Sequence, residues 1–323
     1  MGSWPGTDPR EAIVTVRDLL SDEALGLPYL PETPARGPGA DLVGRGAGLL
    51  VDLPVELRPS GWRLTARPGR DAERTASLWR QDLDELAEAY DGHTGPLKVA
   101  VAGPWTLAAS LELPRGERVL ADGGAALEVA ASLAEGVVRL VDDLARLLPA
   151  VVPVLQIDEP SLPAVLTGAL PTASGFGRLA AVDVQDVLRG LNTVTAAYAG
   201  ETLIHCCDPT APIPLLRQAG ADGLALDLTA ASPARWESVA ATLEAGLRLY
   251  AGLLPTDGTG SAAAAARRLL DEAERVGISE GLLGEVVVSP ACGLASATRE
   301  GAIATQRAAT ELAEELTGSL GER

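Results

Sequence analysis

The sequence predicts an α/β fold, a (β/α)8 barrel with loop insertions, and three observations point to it. Short apolar runs alternate with amphipathic segments along most of the chain, the pattern of a parallel sheet crossed by helices. The length, 323 residues, is ordinary for one such barrel, so residues 1–323 are expected to form a single domain. Nearly every apolar run also ends, at its C-terminal edge, in a polar or chemically distinctive residue. In a closed parallel barrel those edges converge on the face that carries catalysis.

The clearest strand-like runs are 97–102, 152–157, 202–206, 223–228, 247–251 and 285–288. A further strand is expected near 48–52 or, alternatively, near 28–32. In 125–148 the residues Leu133, Val137, Leu140, Val141, Leu144 and Leu148 recur at helical spacing and mark one buried face. Similar stripes run through 184–198, 233–245, 261–276 and 297–316. The Pro- and Gly-rich stretches 28–48 and 170–177 read as long loops within the same domain.

Charge bounds the partners. The chain has 26 basic and 44 acidic residues, a net charge of −18. Nucleic acid and anionic membrane surfaces both demand a basic footprint, so neither is expected as a partner. Hydrophobic residues make up 47% of the chain but aromatics only 3%, so the core must be built from Ala, Val and Leu. The three cysteines, Cys206, Cys207 and Cys292, are odd in number and two are adjacent, which does not read as a disulfide framework. No basic segment followed by an apolar one opens the sequence, and no apolar run approaches membrane-spanning length. The expectation is a soluble cytoplasmic protein acting on small molecules.

The strand ends supply the chemistry. The run 97–102 is followed by Gly103-Pro104-Trp105-Thr106, 152–157 by Asp158-Glu159-Pro160, and 202–204 by His205-Cys206-Cys207. The run from Gly223 reaches Asp227, and the last run leads to Cys292. Side chains alternate across a strand, so His205 and Cys207 share one side while Cys206 turns into packing. An imidazole and two thiolates, from His205, Cys207 and Cys292, suit zinc better than a hard cation and leave a fourth position for an exchangeable group. Taken singly, each of these cysteines reads as ordinary core; their joint placement at strand ends supports the metal. The other histidine, His93, lies in a turn before a strand, at the opposite end of the barrel from catalysis.

In this order and spacing, Gly2-Ser3-Trp4-Pro5, Gly103-Pro104-Trp105-Thr106, Ile157-Asp158-Glu159-Pro160, His205-Cys206-Cys207 and Pro290-Ala291-Cys292-Gly293-Leu294 resemble the catalytic C-terminal barrel of cobalamin-independent methionine synthases. The wider superfamily includes uroporphyrinogen decarboxylase. The resemblance implies a Zn2+ cofactor on His205, Cys207 and Cys292, with a carboxylate ligand falling at Asp227 (Asp208 being a weaker substitute). It also implies that Ser3, Glu32 and Asp158 hold the amino-acid end of a homocysteine-like thiol, with Asp158 the best of these and the catalytic residue. From the residues alone, Asp158 reads equally as an N-cap ahead of Pro160. The implied reaction is methyl transfer to that thiol from a methylfolate or methylcorrinoid donor.

The sequence departs from the family at several points. Aspartate stands at 227 where the family has glutamate, and 250–255, Tyr-Ala-Gly-Leu-Leu-Pro, lacks the histidine that family members carry after the seventh strand. The sequence opens inside the Gly-Ser motif, so the first strand is expected to be cut short. Two other readings stay open: a barrel like uroporphyrinogen decarboxylase, which would need basic groups that these strand ends lack, and a non-catalytic zinc-binding descendant. Trp4 and Trp105 are expected either to stack on a flat donor or simply to pack.

Overall fold

The computed structural model describes residues 2–20 and 25–321. After helix α1 (Pro9–Leu19) and α2 (Leu42–Leu49) come an antiparallel hairpin, β1 (Val55–Arg58) and β2 (Gly61–Leu64), and α3 (Arg70–Ala89). From there strands and helices alternate: β3 (Gly95–Ala102), α4 (Pro104–Ser110), α5 (Gly123–Leu147), β4 (Val151–Asp158), α6 (Leu162–Thr167) and α7 (Val184–Thr195). They continue as β5 (Thr202–Cys206), α8 (Ile213–Leu216), β6 (Gly223–Asp227), α9 (Pro233–Glu244), β7 (Arg248–Leu254), α10 (Ala262–Val276), α11 (Glu280–Leu283), β8 (Val287–Pro290) and α12 (Arg299–Gly321). Strands β3 to β8 pair in sequence order, all parallel, as right-handed crossover units require.

Two short segments complete the ring. Leu30 N–H bonds to Lys98 O (2.9 Å) and Lys98 N–H to Pro28 O (2.8 Å), so residues 28–32 lie beside β3. On their other side Glu32 N–H bonds to Gly2 O (3.0 Å) and Trp4 N–H to Glu32 O (2.7 Å). Leu294 N–H then reaches Ser3 O (2.8 Å), joining the turn after β8 to residues 2–4. At its C-terminal rim the barrel is closed by eight chain segments, six named strands plus these two. Residues 2–4 enter this rim through the single bridge of Ser3 with Glu32. Below it, between β8 and residues 28–32, the stem holds a cavity of about 530 Å³ bordered by Tyr29, Lys98, Gln156, Tyr250 and the α12 face.

Strand alternation sorts the side chains into two cores. Leu97, Val99, Val101, Leu155, Ile157, Ile204, Cys206, Leu224 and Leu226 pack outward into the main cluster beneath the helices. The intervening positions face the barrel axis, where Val154, Leu203, Ala225 and Tyr250 form a small inner cluster. The same alternation places Lys98, Gln156, Asp158, His205 and Asp227 on the inner side of their strands. Cys206, fully buried, packs as expected.

Several expectations need correction. Of the two alternatives for the early strand, 28–32 holds and 48–52 does not, because residues up to Leu49 belong to α2. The stretch 28–48 is therefore not one long loop. The sequence reading missed α3, whose buried stripe is interrupted by polar Thr75 and Asp82. It also missed α1, held by an Asp8 N-cap that accepts from Glu11 N–H (3.2 Å), with Pro9 in the first turn. Strand β7 runs three residues past the expected 251 to Leu254. Trp4 and Trp105 are both buried to 2% exposure, and the Trp105 indole donates to Val187 O (2.9 Å); they pack rather than offer a stacking face.

Candidate metal centre

His205 sits at the penultimate position of β5, in register with Asp158 of β4 and Ala225 of β6. Cys207 follows directly as the strand ends. Cys292 arrives from the turn after β8, which is fixed where Ala291 N–H bonds to Leu254 O (2.8 Å). Gly252 admits that turn, since a Cβ there would stand 2.8 Å from Ala291 Cα. The result gathers ligand atoms of His205, Cys207 and Cys292 within 4.8 Å of one another, from positions 87 residues apart in the chain at their extremes. His205 is buried and the two cysteines half-buried.

The donor set is of a kind that suits a soft cation. His205 Nδ1 lies 2.8 Å from Asp158 Oδ1, leaving Nε2 as the nitrogen able to act as a ligand. Burial alone would raise the Asp158 carboxyl, but the hydrogen bond and electrostatic attraction from His205 outweigh that and hold it below the usual range. Cys207 and Cys292 share a hydrogen bond. That bond, against burial and with help from His205, brings Cys292 down to about 6, while the same bond and burial push Cys207 up. Two sulfurs sharing one proton supply one thiolate readily and a second when a cation displaces the proton.

Asp227, expected as a fourth ligand, is not part of this group; its Oδ1 accepts from Thr229 N–H (2.9 Å) and Oγ1 (2.7 Å). Asp158 caps no helix, the N-cap of α6 being Ser161. Ser3 and Glu32 are paired across the rim. Ser3 Oγ accepts from Ala295 N–H (3.3 Å), and Gly293 packs so tightly on it that a Cβ would lie 2.1 Å from that oxygen. Glu32 is 5% exposed, with Arg45 Nε 3.5 Å away and the charges of Asp158 and Lys98 also acting on it. Burial outweighs Arg45 and pushes the Glu32 carboxyl up to about 7. The backbone N–H of His93 bonds to Tyr90 O (2.9 Å) in the turn before β3, at the far end from this rim.

Sequence reasoning passed over the roles of three polar side chains inside apolar elements and of one, Glu159, just past the end of β4. Glu159, fully buried, accepts from Trp105 N–H (2.9 Å) and Thr106 N–H (2.8 Å), and its own N–H donates to His205 O (2.8 Å). Gln156 contacts Asp158, Lys98 approaches the Tyr29 ring at 5.2 Å, and Arg45 stacks on Trp79 at 3.8 Å while pairing with Asp82. The signal for Lys98 and Gln156 was legible: an unforced polar residue within a buried run requires a partner.

Fold and site together define a (β/α)8 barrel bearing a His-Cys-Cys cluster at its C-terminal rim. The chain belongs to the cobalamin-independent synthase catalytic-domain family, which it matches over residues 1–315. Among solved structures it is similar to a B12-independent methionine synthase from Shewanella sp. W3-18-1 in complex with selenomethionine. That likeness has a TM-score of 0.57 and 15% sequence identity, covering 81% of this chain and 72% of the other, and it speaks for the fold. No curated protein matches. Family membership supports a methyl-transfer role, and no helix among the described residues is long and apolar enough to cross a membrane.

Proposed function

We propose that this protein is a zinc-dependent methyltransferase that moves a methyl group onto a homocysteine-like thiol. The observation that carries the reading is the convergence of one imidazole and two thiols within 4.8 Å at the catalytic rim. His205, Cys207 and Cys292 would hold the ion, and the donor set fits zinc: borderline-soft, content with nitrogen and sulfur, three protein ligands and one exchangeable position. Zinc bound there would supply a Lewis acid that lowers the pKa of an incoming thiol, making the sulfur nucleophilic at neutral pH.

The chain's own residues do the rest. Asp158 and Glu32 are buried carboxylates at the same rim and suit the ammonium of an amino-acid thiol; Ser3 lies between Glu32 and the Cys292 turn. Fixing that end leaves the sulfur at the cysteine side of the rim, which replaces a bimolecular search with an oriented one. The transfer breaks the donor–CH3 bond, forms S–CH3 and releases the thiol proton. A methylfolate nitrogen needs a proton to leave, whereas a methylcorrinoid cobalt does not. Because 250–255 carries no imidazole, the rim favours the methylcorrinoid as donor. We further propose that the described barrel acts as one domain in the cytoplasm.

Metal analysis of the purified protein tests the reading, paired with a Cys292→Ser variant and titration with homocysteine. About one zinc per chain is expected in the parent, a large loss in the variant, and a zinc-dependent response to the thiol. A parent without zinc would end the proposal. Zinc indifferent to thiols would favour the binding-only descendant.

A further inference from the structure

We infer that Gln156 is a positioning residue for the metal centre, acting on His205 through Asp158. Gln156 lies on β4 two residues before Asp158, on the same inner face, and is 1% exposed. Its side-chain Nε2 is 2.6 Å from Asp158 Oδ1, the same oxygen that lies 2.8 Å from His205 Nδ1. An ionised carboxylate only accepts, so the Gln156 atom facing it is the amide nitrogen and the His205 atom carries its proton on Nδ1. Both donors meet one oxygen and fix the torsion of the carboxylate. Asp158 Oδ2 takes no part in either of these two contacts.

The consequence is a division of labour within one side chain. Oδ1 holds His205 in the tautomer that presents Nε2 to the ion, and Oδ2 remains for the ammonium of the substrate. Without Gln156 the carboxylate keeps only one directional restraint. It is then drawn towards Lys98 and pushed from Glu32, the neighbours that act electrostatically with it. His205 would lose a fixed acceptor, and with it the single tautomer. Carboxylate–histidine partners of this kind are worth ten- to hundred-fold in metal affinity. A residue one bond further out should account for about tenfold.

The inference rests on the proposed zinc centre, and its test separates the two. The chain has only two histidines, so imidazole nitrogen NMR of the metal-free protein resolves His205 from His93. The parent is expected to show His205 protonated on Nδ1. Gln156→Met, of similar length but without a donor, should show mixed tautomers and about tenfold weaker zinc binding at unchanged stoichiometry; Gln156→Leu should do the same if the first variant fails to fold. A purely structural role would lower thermal stability and leave the tautomer alone. Folded variants with the parent's tautomer and the parent's zinc affinity would overturn the inference. A parent that binds no zinc would instead end the functional proposal, while the tautomer in the metal-free protein would still decide what Gln156 does.

Discussion

The carboxylate of Glu159 takes both the backbone N–H and the hydroxyl of Thr106, each at 2.8 Å. With the Trp105 N–H added, one buried side chain from the end of β4 closes the first turn of α4. Gly103 is shaped by this contact, because a Cβ there would sit 2.4 Å from the Glu159 carboxylate. The adjacent motifs Gly-Pro-Trp-Thr and Asp-Glu-Pro are therefore two halves of one joint, and the Glu159 N–H extends it to His205 O. Glu159→Ala would leave three donors buried and unpaired, at about 1–3 kcal/mol each. Relaxation of the helix end should reduce the total to about 3–5 kcal/mol in urea unfolding. Glu159→Gln keeps an acceptor and should lose less than half of that. A Glu159→Ala protein as stable as the parent would show that α4 is held by packing alone.

The shared proton of Cys207 and Cys292 gives the metal-free protein a distinctive thiol titration. One sulfur of the pair should ionise near pH 6, the other well above the ordinary thiol range, and buried Cys206 near 12. Alkylation at pH 7 is expected to mark Cys292 first and Cys206 last, read by peptide mass. Cys207→Ala removes the hydrogen bond between the two side chains and should move the early ionisation upward. Equal labelling of all three cysteines would contradict the geometry.

Glu32 makes a pH prediction whose sign is set by burial. Its carboxyl ionises at about 7 in the folded protein against an ordinary 4.5, burial outweighing Arg45. Between those values the folded state keeps a proton that the unfolded chain has lost, so its contribution to stability is complete below pH 4.5 and is lost as pH rises through 7. Lys98 runs the other way. Burial lowers it to about 8, so its contribution is complete above 10.5 and is lost as pH falls through 8. Replacing Glu32 by Gln removes only the first dependence. The variant should match the parent near pH 4.5 and gain on it towards pH 8, by on the order of 3 kcal/mol. Parallel stability curves for parent and Glu32→Gln across that range would refute the raised carboxyl.

Much of this site could be read before folding because a parallel barrel brings strand ends together. His205, Cys207 and Cys292 needed only alternation and strand order to be placed on one rim. The supporting residues were harder to see for a physical reason. Gln156 and Lys98 act from inside apolar runs, and Glu159 sits beside a residue whose chemistry drew the attention. Asp158, the partner of Gln156, lies two residues on along β4, but Tyr29 and Thr106, the partners of Lys98 and Glu159, come from distant segments of the chain. The missed helix α3 has the same origin. Its buried Asp82 pairs with Arg45 and Arg36, so a charged position that reads as solvent-facing is core. Periodicity finds apolar faces, and it is blind to a polar face satisfied at a distance.

Asp227 separates a three-ligand centre from a four-ligand one. It ends β6 next to the cluster in strand order, yet its Oδ1 is bound to both polar atoms of Thr229, a closed local turn that shapes the backbone beyond the strand. Recruiting it to an ion would mean reorienting that turn, and its side chain is one methylene shorter than glutamate. Asp227→Ala should therefore keep about one zinc per chain, with affinity within about threefold of the parent, whereas Cys292→Ser loses the metal. Stability should fall by about 1 kcal/mol through loss of the turn, in both metal-free and zinc-loaded protein alike. If Asp227→Ala lost zinc as Cys292→Ser does, the carboxylate would be a ligand after all, and the open position assigned to the incoming thiol would have to come from its displacement.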